Sequence, residues 1–213
     1  MIKDLAALRA DYSRHRLSKS DVGKDPFDQF ALWFNEATAS QIPEPNAMHL
    51  GTSSSDNVPS GRTVLLKGFD RSGFVFFTNY ESRKALDLLA NPRCYLHFFW
   101  KELERQVFIS GTAEKVSGSE SDEYFAERPY ESQIAAWASK QSSVLDSRKM
   151  LEQRFDELKA QFPEGDVPRP DFWGGFRISP TAFEFWQGRP SRLHDRIIYT
   201  PENGGWNIQR LAP

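Results

Sequence analysis

Four cations, Arg62, Lys67, Arg83 and Lys84, lie within a short stretch of the chain, with Thr63, Thr78 and Ser82 among them. A phosphoryl group binds where several charge-assisted donors converge, each contributing roughly 1.5 to 3 kcal/mol, so this set suits a phosphate. The same cations would serve equally as solvated charges at the rim of a barrel. Residues five apart on a regular strand face opposite ways. Arg62 and Lys67 therefore share a ligand only where the strand bulges or ends, and otherwise serve two different phosphates. Neither GxGxxG nor GxxxxGK(S/T) occurs, so no glycine-rich phosphate loop competes with this cluster.

A second set, Tyr124, Arg128 and Ser132, is spaced four and four, with Pro129 ending the helix after Arg128. Helical spacing stacks Tyr124 over Arg128, which makes either an anion site or the polar face of an amphipathic helix. Gln141-Ser142-Ser143 is a polar loop whose amide and hydroxyls could bond a ligand's heteroatoms. The segment from Trp186 to Arg196 says more, because it concentrates cations, an imidazole and an indole beside a turn. As a strand from Leu193 onward it would put Arg192, His194 and Arg196 on one face. Two flanking arginines disfavour the charged imidazole, so a neutral His194 would accept a hydrogen bond from a substrate hydroxyl; a purely structural histidine is the alternative. HExxH, GxSxG and paired-carboxylate motifs do not occur, His15, His49 and His97 are scattered, and no metal site is expected.

The elements that must carry these residues are legible in the pattern. Asp25-Pro26 followed by Phe27, Phe30, Ala31, Phe34 and Ala37 predicts an N-capped surface helix. Arg62 to Phe69, a turn at Asp70-Arg71-Ser72-Gly73, and Phe74 to Thr78 predict a hairpin. Further strands are expected at 93–100, 105–116, 175–179, 182–186, 193–200 and 206–211, with Glu202-Asn203-Gly204-Gly205 turning the last pair. Helices are expected at 83–90, 121–127, 132–139 and 147–162, the first stopped by Asn91-Pro92. Leu5, Leu8, Arg9 and Tyr12 suggest a short helix within a mobile N-terminal segment, residues 1–24. The fold class is α+β, dominated by an antiparallel β-barrel with peripheral helices.

The chain of 213 residues shows no composition break and reads as one domain, 1–213. With 27 Lys+Arg against 29 Asp+Glu, the formal charge is -2, which supplies no field for nucleic acid or anionic lipid. The single cysteine, Cys94, excludes an internal disulfide and suits a reducing cytoplasm. The charged N-terminus and the want of a long apolar run argue against export or membrane insertion.

Ordered blocks along most of the chain are similar to those of the pyridoxine/pyridoxamine 5'-phosphate oxidase family. They are Arg62-Thr63-Val64-Leu65-Leu66-Lys67, Phe77-Thr78-Asn79, Ser82-Arg83-Lys84-Ala85, Glu104-Arg105-Gln106-Val107, Ser139-Lys140-Gln141-Ser142-Ser143, Phe172-Trp173-Gly174-Gly175-Phe176-Arg177, Arg192-Leu193-His194-Asp195-Arg196 and the closing Arg210-Leu211-Ala212-Pro213. The resemblance implies an FMN-binding split barrel, a homodimer with two FMN molecules at the interface and each site built from both chains. It implies oxidation of pyridoxamine or pyridoxine 5'-phosphate to pyridoxal 5'-phosphate by hydride transfer to the flavin, with O2 as acceptor and H2O2 as product.

Carried over by position, FMN would be held by Arg62, Thr63, Val64, Leu65, Leu66, Lys67, Phe77, Thr78, Arg83, Lys84, Gln106, Gln141, Ser142, Trp186 and Arg196. The substrate phosphate would meet Lys67, Tyr124, Arg128 and Ser132. Arg192, Leu193 and His194 would hold the pyridine ring, Arg192 and His194 as the catalytic pair, and Arg9 with Tyr12 would cover the site. Phe77 offers no side-chain donor, so any hydrogen bond there comes from backbone. A different split-barrel flavin oxidoreductase, a non-catalytic carrier of flavin or pyridoxal phosphate, and a nucleic-acid-binding barrel are the rival readings, the last disfavoured by charge.

Overall fold

The computed structural model describes residues 11–213. Five α-helices and nine strands follow one another along the described residues: α1 (Pro26–Ala39), β1 (Ala47–Ser53), β2 (Pro59–Leu65), β3 (Gly68–Asp70), β4 (Gly73–Asn79), α2 (Arg83–Ala90), β5 (Arg93–Trp100), β6 (Arg105–Lys115), α3 (Gly118–Glu127), α4 (Tyr130–Ala138), α5 (Arg148–Gln161), β7 (Trp173–Gln187), β8 (Asp195–Glu202) and β9 (Gly205–Leu211). Hydrogen bonding orders the strands β2-β1-β5-β6-β7-β4-β3, with β8 on β7 and β9 on β8. The class is α+β with antiparallel strand pairs, as the sequence predicts. Among the described residues no helix is long and apolar enough to cross a membrane.

Contacts divide the chain into two compact units. Unit 1 comprises the described residues up to His49 together with Tyr95–Ser110 and Pro180–Pro213. Unit 2 comprises Leu50–Cys94 and Gly111–Ser179.

In unit 1, α1 starts where the sequence places it. The Asp25 carboxylate accepts from Phe27 N at 2.8 Å, and Pro26 opens the helix where a missing N–H costs nothing. Phe27, Phe30, Trp33 and Ala37 are buried, and each large side chain so removed from water stabilises the fold by roughly 1.5 to 3 kcal/mol. Trp33 belongs to this stripe although the predicted pattern passed over it. The guanidinium of Arg105 lies 4.4 Å from the Trp33 ring, pairs with Glu36 and donates to Gln187 Oε1 at 3.0 Å. β8 and β9 form a hairpin through Asn203 and Gly204, both at positive φ, the conformation a two-residue turn of matching twist requires.

Unit 2 contains the hairpin β3–β4, in register Phe69↔Phe74. Ser72 N donates to Asp70 Oδ1 at 2.6 Å across its turn. Gly73 has φ +140, and a Cβ there would stand 2.2 Å from the Ile178 carbonyl oxygen, so no other residue fits. The free thiol of Cys94 reaches the Gly111 carbonyl oxygen at 3.8 Å, and burial pushes it up to about 12.

Three expectations are corrected. The strands expected at 175–179 and 182–186 are one strand, β7, which passes through Pro180. Proline is tolerated because β7 pairs β4 up to Ile178 and β8 from Phe183, so on that edge Pro180 falls at the change of partner, where no N–H is called for. The strand expected from Leu193 begins at Asp195 instead, after a short turn in which Ser191 and Arg192 have φ of 57 and 60. Left-handed backbone breaks the alternation, so Arg192, His194 and Arg196 do not lie along one strand face. The strand expected to run from Arg62 to Phe69 is interrupted after Leu65, and Lys67 N donates to Val75 O at 2.8 Å in the break.

Candidate functional site

In unit 2 the cationic cluster is built on the middle of β2, the end of β4 and the start of α2. Arg62 Nη1 donates to Thr52 Oγ1 at 2.7 Å and to Leu50 O at 3.3 Å, and Nη2 donates to Ser60 Oγ at 2.6 Å. Lys84, in the first turn of α2, donates from Nζ to Gln141 Oε1 at 2.7 Å, Thr78 Oγ1 at 3.1 Å and Ser82 Oγ at 3.2 Å. Burial first, and the nearby Arg62 charge second, hold the Lys84 ammonium down to about 8. Arg83 N donates to Ser142 Oγ at 3.2 Å, so the exposed 141–142 loop is tied to the start of the helix. Thr78, Arg83, Lys84, Gln141 and Ser142, five residues predicted from three blocks, thus come together.

Further along β2, Thr63 is exposed, Val64 and Leu65 are half-buried, and Leu66 is buried. The side chain of Leu66 is therefore packed, and a ligand could meet this stretch only through backbone and its outward residues.

Lys67 has different neighbours from Arg62. Its Nζ lies 5.8 Å from the centre of the Tyr124 ring, and Lys67, Phe69, Phe77, Tyr124, Glu127 and Arg177 line an open cleft. Phe77 stacks on Tyr124 at 4.0 Å and on Trp173 at 5.6 Å, and the Arg128 guanidinium lies 4.6 Å from the Trp173 ring. Arg128 Nη2 donates to Ser132 O at 2.8 Å, so Ser132 fixes Arg128 through its carbonyl. The strand breaks after Leu65, so alternation no longer decides how Arg62 and Lys67 are placed; their different neighbours set them apart. Phe77, which has no polar atom to offer, is the platform on which Tyr124 is stacked.

In unit 1 the predicted residues gather around rings. Trp186, at the end of β7, lies 4.6 Å from His194, and Tyr12 meets both edge-on with centroids 5.8 Å away. Gly188 makes room for Tyr12, since a Cβ there would come within 2.7 Å of its ring. Arg189 N donates to His194 Nδ1 at 3.1 Å. With Nδ1 so engaged, the neutral ring carries its proton on Nε2 and presents a donor, not the acceptor the sequence suggests. Burial first, then Arg192, depress the ionisation of His194, while Asp195 opposes them.

Arg192 and Leu193 are exposed. Arg196 is bound on both sides: Nε and Nη2 donate to Glu184 at 2.7 and 3.0 Å, and Nη1 donates to Ala212 O at 3.0 Å. Gln106 Oε1 meets His97 Nε2 at 2.9 Å. Arg9 lies outside the described residues.

Sequence reasoning missed the supports of this region: Glu104, which accepts from Arg14 N at 3.1 Å, and Asp195, which accepts from Leu17 N at 3.0 Å. Nothing in the spacing marked them, because both bond to backbone of a segment far away in sequence.

Strand order and peripheral helices define the class as an FMN-binding split barrel. Residues 34–162 match the family model described as pyridoxamine 5'-phosphate oxidase, and residues 173–213 match that of the pyridoxine 5'-phosphate oxidase C-terminal dimerisation region. The chain is 57% identical to a pyridoxine/pyridoxamine 5'-phosphate oxidase of Crocosphaera subtropica, over 99% of this chain and 100% of that one. It is 58% identical to one from Cupriavidus taiwanensis, over 98% and 99%. Among solved structures, PhzG from Burkholderia lata, in complex with tetrahydrophenazine-1-carboxylic acid, superposes with a TM-score of 0.88 at 30% identity, covering 94% of this chain and 100% of that one. The chain belongs to the pyridoxine/pyridoxamine 5'-phosphate oxidase family and is an oxidoreductase of that type.

Proposed function

We propose that residues 1–213 act as one domain that oxidises pyridoxamine and pyridoxine 5'-phosphate to pyridoxal 5'-phosphate with bound FMN. The carrying observation is the pair of separate cation-bearing sets in unit 2, one around Arg62 and Lys84 and one around Lys67, Tyr124 and Arg128. A reaction between a phosphorylated cofactor and a phosphorylated substrate needs two such sets. The donors fit the cofactor's phosphate: Arg62 and Lys84 are held in place by uncharged oxygens, and the exposed Arg83 and Ser142 adjoin them.

Bound FMN would supply the two-electron redox chemistry, with the substrate's 4'-carbon as donor and O2, reduced to H2O2, as final acceptor. The chain supplies binding and orientation. Arg62, Lys84, Arg83, Thr78, Gln141 and Ser142 hold the cofactor, with Thr63 to Lys67 and Phe77 beside it and Gln106, Trp186 and Arg196 completing its set. Lys67, Tyr124, Arg128 and Ser132 anchor the substrate phosphate, whose binding energy is spent on placing the ring. Arg192 and Leu193 bear on the pyridine ring, and His194 donates from Nε2 to a polar ring substituent. Tyr12, with Arg9, covers the ring site.

The protein works as a homodimer with two FMN sites, each drawing on both chains. The half-exposed Tyr95 and Phe99 and the stacked His97 and Phe108, at 4.1 Å, offer an aromatic surface for that assembly.

Anaerobic titration of the FMN-loaded protein with pyridoxamine 5'-phosphate, followed by air, tests the reading. Bleaching of the flavin bands and their return with one peroxide per turnover is the expected result. Flavin that does not bleach would move the substrate assignment to another split-barrel oxidoreductase or to a carrier.

A further inference from the structure

Asp87 is a buried carboxylate on α2 that plays no part in the roles given above. Its Oδ2 accepts from Thr52 Oγ1 at 2.7 Å and from Ser60 Oγ at 2.8 Å. Those two hydroxyls, 3.0 Å apart, are the ones that accept from Arg62 Nη1 and Nη2. A hydroxyl has one proton, and an ionised carboxylate only accepts. The network therefore runs in one direction, from Arg62 through both hydroxyls into Asp87, which stands 3.8 Å from Arg62 Nη2.

Together with the bond to Leu50 O, these contacts engage three of the five guanidinium hydrogens and fix its plane. The hydrogens left over are the one on Nε and the Nη2 hydrogen beside it. They form the parallel pair that matches two oxygens of one phosphate. In Arg196 that same pair is occupied by Glu184.

We propose that Asp87, acting through Thr52 and Ser60, is a positioning residue that presents the Nε–Nη2 edge of Arg62 to the phosphate of the cofactor. The proposal rests on the FMN reading given above. Charge alone assigns Asp87 the opposite effect, because a carboxylate beside Arg62 offsets the attraction for an anion. Removing Asp87 thus separates position from charge by the sign of the change.

The test titrates the flavin-stripped full chain with FMN and, separately, with riboflavin, following quenching of flavin fluorescence. The wild type binds FMN more tightly than riboflavin. Asp87→Ala lowers that preference by about tenfold, the equivalent of one weakened charged contact, and leaves riboflavin affinity unchanged. Asp87→Asn, whose amide oxygen still accepts the hydroxyl protons, restores most of it. Ser60→Ala, which keeps the carboxylate and cuts one arm of the network, lowers it in the same direction. An unchanged or larger preference in Asp87→Ala overturns the proposal, as does an equal loss for both flavins or an unaltered Ser60→Ala. If the wild type fails to distinguish FMN from riboflavin, the cofactor reading itself falls and this proposal falls with it.

Discussion

Arg62 in unit 2 and Arg196 in unit 1 are both arginines on antiparallel strands, and both are expected at the cofactor, yet their surroundings differ in kind. Arg62 rests on two hydroxyls and a carbonyl, with its carboxylate one step removed and one edge open. Arg196 is clamped directly by Glu184, which raises its already high proton affinity. The regions around them differ in the same way. Around Arg62, hydroxyls, a carbonyl and an amide oxygen accept from Arg62 and Lys84, with Asp87 one step removed. Around Arg196, carboxylates accept directly from Arg196 and Arg210, and an indole, a phenol and an imidazole are gathered by ring packing. The difference is one of means: hydroxyl-held charge around Arg62, carboxylate clamps and ring packing around Arg196.

If that difference carries over to function, loss of the ring-packed His194 lowers turnover without loss of cofactor. His194→Ala is expected to reduce kcat about a hundredfold, the scale of a positioned polar group in the transition state, with FMN content unchanged by visible absorbance. Loss of flavin with normal turnover per bound flavin would break the comparison. Substitutions in the second anion set of unit 2 act on binding. Lys67→Met or Arg128→Met should raise KM for pyridoxamine 5'-phosphate by about tenfold with little change in kcat, since one charged contact to the anchor is removed. Steady-state kinetics at saturating FMN decides, and an unaltered KM would place the substrate phosphate elsewhere.

A smaller effect comes from Lys84. Its ammonium is held down to about 8, so it is charged below that pH and neutral above. FMN affinity of the flavin-free protein should therefore be greatest between about pH 6, where a phosphate monoester becomes a dianion, and 8, and should fall several-fold as pH rises through 8. Lys84→Arg, charged throughout, should flatten that profile. A wild-type profile without the fall would show that Lys84 does not meet the phosphate.

The mildest test concerns Gly188→Ala. The added methyl displaces Tyr12 at a cost of about 1 to 3 kcal/mol of overpacking, read as a lower Tm and a modest change in kcat/KM. An unchanged Tm would mean that Tyr12 is not seated as described.

Much of this arrangement is legible in the sequence because it rests on local rules. The Asp25-Pro26 cap, the Gly73 turn and the Asn91-Pro92 stop each act within a few residues, and α2 occupies Arg83–Ala90 as predicted. What escapes is set by partners far away in sequence. Pro180 looks like a strand end until β7 is seen to exchange β4 for β8 there. Arg192 looks like a strand residue, yet the turn puts it at positive φ, which no propensity favours for arginine. Asp87, four residues after Arg83 in a short helix, has the spacing of a solvated surface pair, and only β1 and β2 reveal it as buried. The site blocks themselves emerge from resemblance, whereas their division between ring packing and hydroxyl-held charge is visible only in the fold.

The chain's one thiol has a chemical consequence under the proposed reaction. An oxidase that releases peroxide at each turnover is the protein most exposed to it, and peroxide attacks the thiolate form of sulfur. Cys94, with its proton affinity pushed up to about 12 by burial, is held as the thiol at neutral pH. Met48 is buried, while Met150, half-exposed on α5, is the more open sulfur among the described residues. Oxidative ageing of this enzyme should therefore be written at Met150, as a sulfoxide that leaves the cysteine intact.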